Sequence, residues 1–127
     1  MEAKIRKAKK EDKQKIERWN RELFSISFPG EKYKKKLLRG RLFVLELNKN
    51  IAGFLLLKSG GNISKIFVEK KHRGRGFGKM LMDFAMNYFK KLKKVRLTVT
   101  ASNKPAIKLY KKSGFKIKRY VMEKNTK

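Results

Sequence analysis

A seven-residue segment combines glycine with positive charge in a pattern that suits a phosphate ligand. It reads Arg73-Gly74-Arg75-Gly76-Phe77-Gly78-Lys79, after the apolar run Ile66-Phe67-Val68 and at the start of an amphipathic run from Phe77 to Leu92. A strand, a glycine-rich turn and a helix in this order aim backbone N–H groups at a ligand, because glycine permits tight turns and close approach. The helix N-terminus adds unpaired donors and a partial positive charge. The segment therefore predicts a pyrophosphate-binding loop.

The spacing of the glycines excludes two common phosphate-binding loops. A Walker A loop needs Ser or Thr after Gly-Lys, but Met80 follows Lys79, and Arg73 stands where the first glycine belongs. The dinucleotide fingerprint needs Gly-x-Gly-x-x-Gly, whereas this chain has Gly-x-Gly-x-Gly and no further parallel strand–helix units around it. The remaining pattern is Arg-x-x-Gly-x-Gly, formed by Arg73, Gly76 and Gly78.

A second motif begins at Asn103 and ends at Phe115. It has the form Asn-x-x-Ala-x-x-Leu-Tyr-x-x-x-Gly-Phe, with Ala106, Leu109, Tyr110 and Gly114 at its fixed positions. The two motifs resemble motifs A and B of the GNAT N-acetyltransferases, and the closest resemblance is to the RimI-like branch that acts on protein N-termini. Motifs and intervening elements cover residues 62–115.

The resemblance implies a fold and a co-substrate. The expected fold is α/β (α+β), a single GNAT domain over residues 1–127. Its twisted, mixed and mostly antiparallel sheet would have about six or seven strands, flanked by about four helices and splayed between strands 4 and 5. The co-substrate is acetyl-CoA. The cofactor-binding residues that we predict are Ile66, Phe67, Val68, Arg73, Gly74, Arg75, Gly76, Phe77, Gly78, Lys79, Asn103 and Tyr110.

Acetyl transfer to an amine needs an acid for the departing thiolate, and Tyr110 is the predicted catalytic residue. A phenol with a pKa near 10 can donate that proton, and the matching tyrosine has this role in many relatives. The alternative is a buried tyrosine with a structural hydrogen bond. Asn103 either contacts the pantetheine arm or caps a helix, and a backbone N–H near Val68 would polarise the thioester carbonyl.

The residue that accepts the proton of the amine is not evident. RimI-like enzymes have a glutamate on the strand before motif B, but the aligned residue here is Thr98, which cannot accept a proton at neutral pH. His72 has a suitable side chain, but we expect it to be exposed. The other candidates are Glu22, Glu31, Glu46 and Glu69, each expected to be a solvated surface group. The simplest alternative is a water chain, or an amine delivered already neutral.

Composition limits the classes of function. Cysteine is absent and there is one histidine, which excludes disulfides and thiolate chemistry and argues against a metal site. No apolar stretch approaches the length of a membrane span, so we expect a cytoplasmic protein without a membrane partner. Lys and Arg number 37 against 10 acidic residues, a net charge of +27. This charge either attracts nucleic acid, a ribosome or another acidic partner, or reflects a lysine-rich proteome.

The apolar periodicity predicts the elements that position the motifs. We expect helices at residues 11–24 and 31–38, a helix after Gly76 and another that Asn103 or Ser102 caps. Trp19 is expected to pack in the core, or else to line an acceptor groove. A tight hairpin is expected at Asn48-Lys49-Asn50. Between Ile63 and Ile66 the alternation slips by one residue, which predicts a β-bulge or, alternatively, a fully buried strand that need not alternate. Strands are expected at residues 2–8, 42–47, 51–57, 62–68, 95–99 and, once or twice, 115–122.

The sequence therefore predicts an acetyl-CoA-dependent N-acetyltransferase that modifies a primary amine of a protein or peptide. The alternative is a non-catalytic acyl-CoA-binding module, or one associated with nucleic acid or ribosomes, on the same fold. The acceptor, the choice between acetyl and longer acyl groups, and the choice between monomer and homodimer stay open.

Overall fold

A computed structural model describes residues 2–24 and 41–127. Within these ranges one sheet has the strand order β1-β2-β3-β4-β5, with antiparallel pairing from β1 to β4 and parallel pairing between β4 and β5. The strands are β1 (Ala3–Lys7), β2 (Leu42–Leu47), β3 (Asn50–Lys58), β4 (Asn62–Val68) and β5 (Arg96–Leu97). The helices are α1 (Lys13–Phe24), α2 (Phe77–Tyr88) and α3 (Lys104–Lys112). Short 3₁₀ turns occupy Lys10–Asp12 and Lys70–His72.

The mixed α+β sheet confirms the expected fold class, with fewer elements than expected. The described residues form five strands and three α-helices, where about six or seven strands and about four helices were expected. The predicted helix at residues 31–38 lies outside the described residues. None of the described helices is long and apolar enough to cross a membrane.

The two faces of the sheet carry separate apolar cores. On one face α2 packs on side chains of β2, β3 and β4, and the fully buried residues here include Leu45, Leu55 and Leu81. On the other face α1 brings Ile16 and Trp19 against the strands. Trp19 is 3% exposed, and its ring lies 5.0 Å from the ring of Phe67, which confirms its packing role.

The predicted hairpin and bulge are both present. Asn48 and Lys49 have φ angles of 48° and 77°, the left-handed pair that a tight hairpin between β2 and β3 requires. On β4, Leu56 pairs with Lys65 and Leu57 pairs with Ile63, so Ser64 is the inserted residue of a β-bulge. The bulge lets Ile63 and Ile66 both point at the core beneath α2.

The predicted strand over residues 95–99 is too long. Only Arg96 and Leu97 pair with β4, opposite Asn62 and Ile63. Val95, Leu97 and Val99 do alternate as half-buried residues, as expected. Beyond Leu97 the described residues form no further pair with β4, whose bulge lies at the next position, Ser64.

The prediction of strands over residues 115–122 is wrong. The structure assigns no helix or strand to residues 115–127. Phe115 is anchored by a backbone hydrogen bond to Tyr110 and by contact with the core under α2. After it, Tyr120, Val121 and Met122 are 83%, 84% and 91% exposed. A two-residue β5 offers too short an edge for a further strand to pair with.

The apolar stripe of α2 is largely confirmed, with two differences. The helix ends at Tyr88, and Leu92, the last residue of the predicted amphipathic run, is 46% exposed. Tyr88 follows the helical spacing of the apolar residues but is 44% exposed, whereas Met82 does not follow it and is fully buried.

Candidate functional site

An opening separates β4 from the chain that follows β5. The two strands pair only at Asn62 and Ile63, and β4 then continues to Val68. This is the splay between strands 4 and 5 that the sequence predicts.

The backbone groups of β4 that face this opening belong to Ile66 and Val68. Glu69 donates its N–H to the carbonyl of Ala52 at 2.8 Å and therefore faces β3. Because N–H groups alternate in direction along a strand, those of Val68 and Ile66 face away from β3. The carbonyl oxygen of Val68 accepts a hydrogen bond from Nε of Arg73 at 2.7 Å, in agreement with this direction.

Phe67 is placed differently from its two neighbours. It lies opposite Phe54 and two residues before Glu69, so by the same alternation its backbone groups face β3. Its side chain is 7% exposed and packs in the core beneath α1. Of the three predicted β4 residues, Phe67 therefore has the least access to a ligand in the opening.

The loop after β4 has the backbone conformation that an anion cradle requires. Gly74 and Gly76 have φ angles of 78° and 86°, which other residues rarely adopt. Gly76 is the N-cap of α2 and offers no capping side chain. The first helical hydrogen bond runs from Met80 N to Gly76 O, so the N–H groups of residues 77–79 have no partner within the helix.

The cations of this loop differ in whether they contact a partner within the described residues. The Arg73 guanidinium is held by the Val68 carbonyl and lies 5.6 Å from the centre of the Phe67 ring. Nζ of Lys79 lies 2.8 Å from a carboxylate oxygen of Asp83. Arg75 is exposed and has no ionic or hydrogen-bond partner among the described residues.

Phe77 and Gly78, also predicted to bind cofactor, make packing contacts at the start of α2. Phe77 is half-buried against the core under this helix. A Cβ atom at Gly78 would lie 3.4 Å from Cδ2 of Leu109, so this position faces α3 at van der Waals distance.

Asn103 caps α3. Its side-chain oxygen accepts a hydrogen bond from the N–H of Ala106 at 3.3 Å, and Pro105 occupies the first turn. Gly114, with a φ angle of 96°, follows the C-cap residue Ser113, as a C′ glycine does. The cap predicted at the start of this helix is therefore confirmed, with Asn103 as the capping residue.

Tyr110 lies on the α2 side of the sheet. It is half-buried and packs against the same core as Ile66 and Val68, with its ring 6.2 Å from that of Phe115. Burial raises the pKa of Tyr110 above its ordinary value of 10.0. The phenol is therefore fully protonated at neutral pH, the state that an acid requires, and it has no hydrogen-bond partner within residues 2–24 and 41–127.

The carboxylates proposed as bases are engaged elsewhere or not described. Glu46 lies 3.3 Å from Lys4 and 3.2 Å from Arg6 on the β1–β2 side of the sheet. Burial pushes the pKa of Glu46 upward, but hydrogen bonds and charge from Lys4 and Arg6 outweigh this, so the pKa lies below its ordinary value. Thr98 is exposed beyond β5. The side chain of Glu22 and the whole of Glu31 lie outside the described part.

His72 is less exposed than expected. Its side chain is 19% exposed, and Nε2 lies 3.8 Å from a carboxylate oxygen of Glu69. Its Nδ1 atom is buried and has no hydrogen-bond partner among the described residues. His72 and Glu69 line a cleft together with Lys15 and Ile51, on the α1 side and away from the opening.

Two contacts of β4 were not predicted from the sequence. One is the Arg73–Val68 hydrogen bond. The other is Lys65, whose Nζ lies 2.7 Å from the side-chain oxygen of the fully buried Asn20. Lys65 directly follows the bulge and faces α1, so a cation lies on the face opposite Ile66. The sequence signal for the second contact was Lys65 itself, a lysine within an apolar strand at the point where the alternation slips.

Residues 5–115 match the acetyltransferase (GNAT) family. The chain belongs to this family. An uncharacterized N-acetyltransferase of Methanocaldococcus jannaschii is 36% identical over 91 residues, 62% of this chain, which spans only 40% of that relative's length. An N-alpha-acetyltransferase of Sulfurisphaera tokodaii is 29% identical over an alignment that covers 91% of this chain and 81% of the relative's length. Arabidopsis thaliana Naa50, solved with the bisubstrate analogue CoA-Ac-MVNAL, superposes with a TM-score of 0.78 at 22% identity, covering 94% and 86% of the two chains. This last likeness shows the shared GNAT fold.

Proposed function

We propose that this protein is an acetyl-CoA-dependent N-acetyltransferase whose acceptor is a primary amine of a protein or peptide. The observation that carries the proposal is the loop of residues 73–79, with unpaired N–H groups at the start of α2, beside a strand edge that faces an opening. Membership of the GNAT family supports the reaction class. The Sulfurisphaera tokodaii relative, named an N-alpha-acetyltransferase, supports a protein or peptide acceptor.

The described residues fit acetyl-CoA. The N–H groups of residues 77–79 and the exposed Arg75 would hold its pyrophosphate. The outward-facing backbone groups of Ile66 and Val68 would pair with its pantetheine arm, as strand edges pair with extended ligands. Acetyl-CoA supplies the activated acyl group, so the protein has mainly to position the partners and exclude water.

In this proposal Tyr110 is the general acid. Its raised pKa keeps the hydroxyl protonated, and no described residue occupies that hydroxyl. The apolar surroundings from Ile66, Val68 and Phe115 exclude water and strengthen the polar interactions that do form. Asn103 holds α3 in place through its cap, whether or not it also contacts the pantetheine arm.

A non-catalytic acyl-CoA-binding module is the second candidate. One observation favours it: Thr98 replaces the expected glutamate, and the described carboxylates Glu46 and Glu69 are engaged by cations away from the opening. A water chain that carries the amine proton away would reconcile this with catalysis.

Release of free thiol from acetyl-CoA separates the two candidates. The protein is incubated with a panel of peptides with free N-termini, polyamines and basic proteins, and thiol is measured over time. Turnover with peptides supports the proposed function. Binding of acetyl-CoA by calorimetry without thiol release from any acceptor would support the binding module.

The strong positive charge supports a further proposal, contact with nucleic acid or a ribosome. We also propose a cytoplasmic location and a single domain over residues 1–127. The sequence is also compatible with a monomer or a homodimer.

A further inference from the structure

The acidic residues of this protein are unevenly distributed. All ten lie outside residues 84–122, which we call the acid-free segment. It contains twelve cationic residues: Lys90, Lys91, Lys93, Lys94, Arg96, Lys104, Lys108, Lys111, Lys112, Lys116, Lys118 and Arg119. A lysine-rich surface that only replaced other polar residues would intersperse acids among these cations.

Every one of these cations is exposed, and none forms an ion pair or side-chain hydrogen bond within the described residues. The ion pairs of the described ranges all involve residues before the acid-free segment, as in Arg6–Asp12 and Lys79–Asp83. Unpaired like charges so close together repel one another and destabilise the compact state. An anionic ligand would remove that repulsion.

The C-terminal part of the acid-free segment adds an exposed aromatic ring. Tyr120 is 83% exposed and directly follows Arg119, with Lys116 and Lys118 close before it. No helix or strand forms here, so the chain is open on several sides. Cations that track a phosphate backbone, with an aromatic ring on which a base stacks, are the usual elements of single-strand binding.

We propose that the acid-free segment binds a single-stranded polynucleotide, with Lys116, Lys118 and Arg119 on its phosphates and Tyr120 stacked on a base. This deepens the nucleic-acid contact proposed above and is independent of catalysis. The pyrophosphate loop does not account for these cations, because residues 73–79 precede the segment. A single strand fits better than a duplex, because only unpaired bases present their faces to a tyrosine.

Fluorescence anisotropy with labelled single-stranded RNA, single-stranded DNA and duplex of equal length tests the proposal. The variant Lys116→Gln, Lys118→Gln, Arg119→Gln should weaken single-strand binding at least tenfold. Its dependence of log Kd on log salt should flatten by about two, since each contacted phosphate contributes about 0.7. The control Lys7→Gln, Lys10→Gln, Arg18→Gln removes equal charge from exposed residues of β1, the first 3₁₀ turn and α1, and should weaken binding less than threefold.

Tyr120→Ala separates stacking from charge. It should weaken binding about fivefold or more without changing the salt slope, since base stacking contributes about 1–3 kcal/mol per base. Saturating acetyl-CoA should leave the affinity within about twofold, because the two sites are distinct. Binding of single-stranded RNA or DNA that depends on Tyr120 supports the proposal, and the RNA and DNA arms identify which polynucleotide the site prefers.

Several outcomes would overturn the proposal. If no oligonucleotide binds at low salt, both this site and the nucleic-acid contact are wrong, while the acetyltransferase proposal is untouched. Equal losses in the two triple variants would show binding without this location. Tighter duplex binding, displacement by acetyl-CoA, or self-association through residues 115–122 that strengthens with salt would each assign the segment to another partner.

Discussion

On one side of β4, the strands β1, β2 and β3 pair with their neighbours over nearly their full lengths; on the other side, β5 contributes two residues. Charges follow the same division. Arg6 donates two hydrogen bonds to the buried carboxylate of Asp12 and also forms an ion pair with Glu46. The cations after residue 84, by contrast, have no acidic partner in the described residues. The first region holds the fold together, and the second leaves backbone and charge available to ligands.

The largest expected effect tests the packing side of this comparison. Leu55 is fully buried on β3, and Leu55→Ala should lower the free energy of unfolding by about 2–5 kcal/mol, since it leaves a cavity. Val99→Ala, beyond β5, removes a half-buried side chain and should cost about 1 kcal/mol or less. Urea unfolding measures both. Similar losses in the two variants would mean that one continuous core spans both regions.

The next effect lies where the two regions meet. Tyr110→Phe keeps the ring and removes the acidic proton, so turnover should fall roughly ten- to a thousandfold while acetyl-CoA affinity and folding persist. Tyr88→Phe removes a hydroxyl from the exposed end of α2 and is the matched control. Steady-state thiol release measures turnover. Full activity in Tyr110→Phe would make this residue a packing side chain, and loss of folding would make its hydroxyl a structural partner.

The cofactor loop gives a smaller expected effect. Gly76→Glu places a carboxylate among the donors at the start of α2, so acetyl-CoA affinity should fall at least tenfold, about 1.4 kcal/mol. Gly76→Ala is the control for backbone strain at a φ angle of 86°, since a methyl group there meets no atom within 4 Å. Calorimetry on the folded variants distinguishes them. An unchanged affinity in Gly76→Glu would remove the loop from the cofactor site.

The smallest expected effect concerns the paired charges. The pKa of Glu46 is below its ordinary value of 4.5 despite burial, because of Lys4 and Arg6, so its contribution to stability is present above that pH and is lost as the pH falls. The wild type should therefore melt at a higher temperature than Glu46→Gln near pH 6, and the difference should shrink toward about pH 3. Glu11→Gln, at an exposed carboxylate, is the control. A difference that is constant with pH would assign the effect of Glu46 to packing.

Features that depend on a few neighbouring residues were predictable from the sequence. The left-handed Asn48, the bulge before Ile66, the capping Asn103 and the C′ Gly114 each have a local cause that the residue type reveals. The family motifs located the loop and Tyr110 in the same way.

Features that depend on a distant neighbour were not predictable. Residues 98–100 and 115–122 have the alternation of strands, but a strand forms only where another strand lies beside it. The partial burial of His72 and the exposure of Tyr88 likewise depend on distant residues, since His72 lies beside the β2–β3 hairpin and Tyr88 contacts Phe43 on β2 edge-on. Arg73 was read as a phosphate ligand, but the position of its guanidinium also depends on where β4 ends.

The bulge at Ser64 shifts the alternation of side chains along β4 by one residue. Before it, Ile63 points to the α2 side on one parity; after it, Ile66 and Val68 reach the same side on the other parity. The inserted residue has no partner on β3. If Ser64 instead joined the ladder in regular alternation, Phe67 would turn toward the α2 side and Val68 toward α1. The unpaired residue therefore keeps the apolar side chains of both halves of β4 on the same face of the sheet.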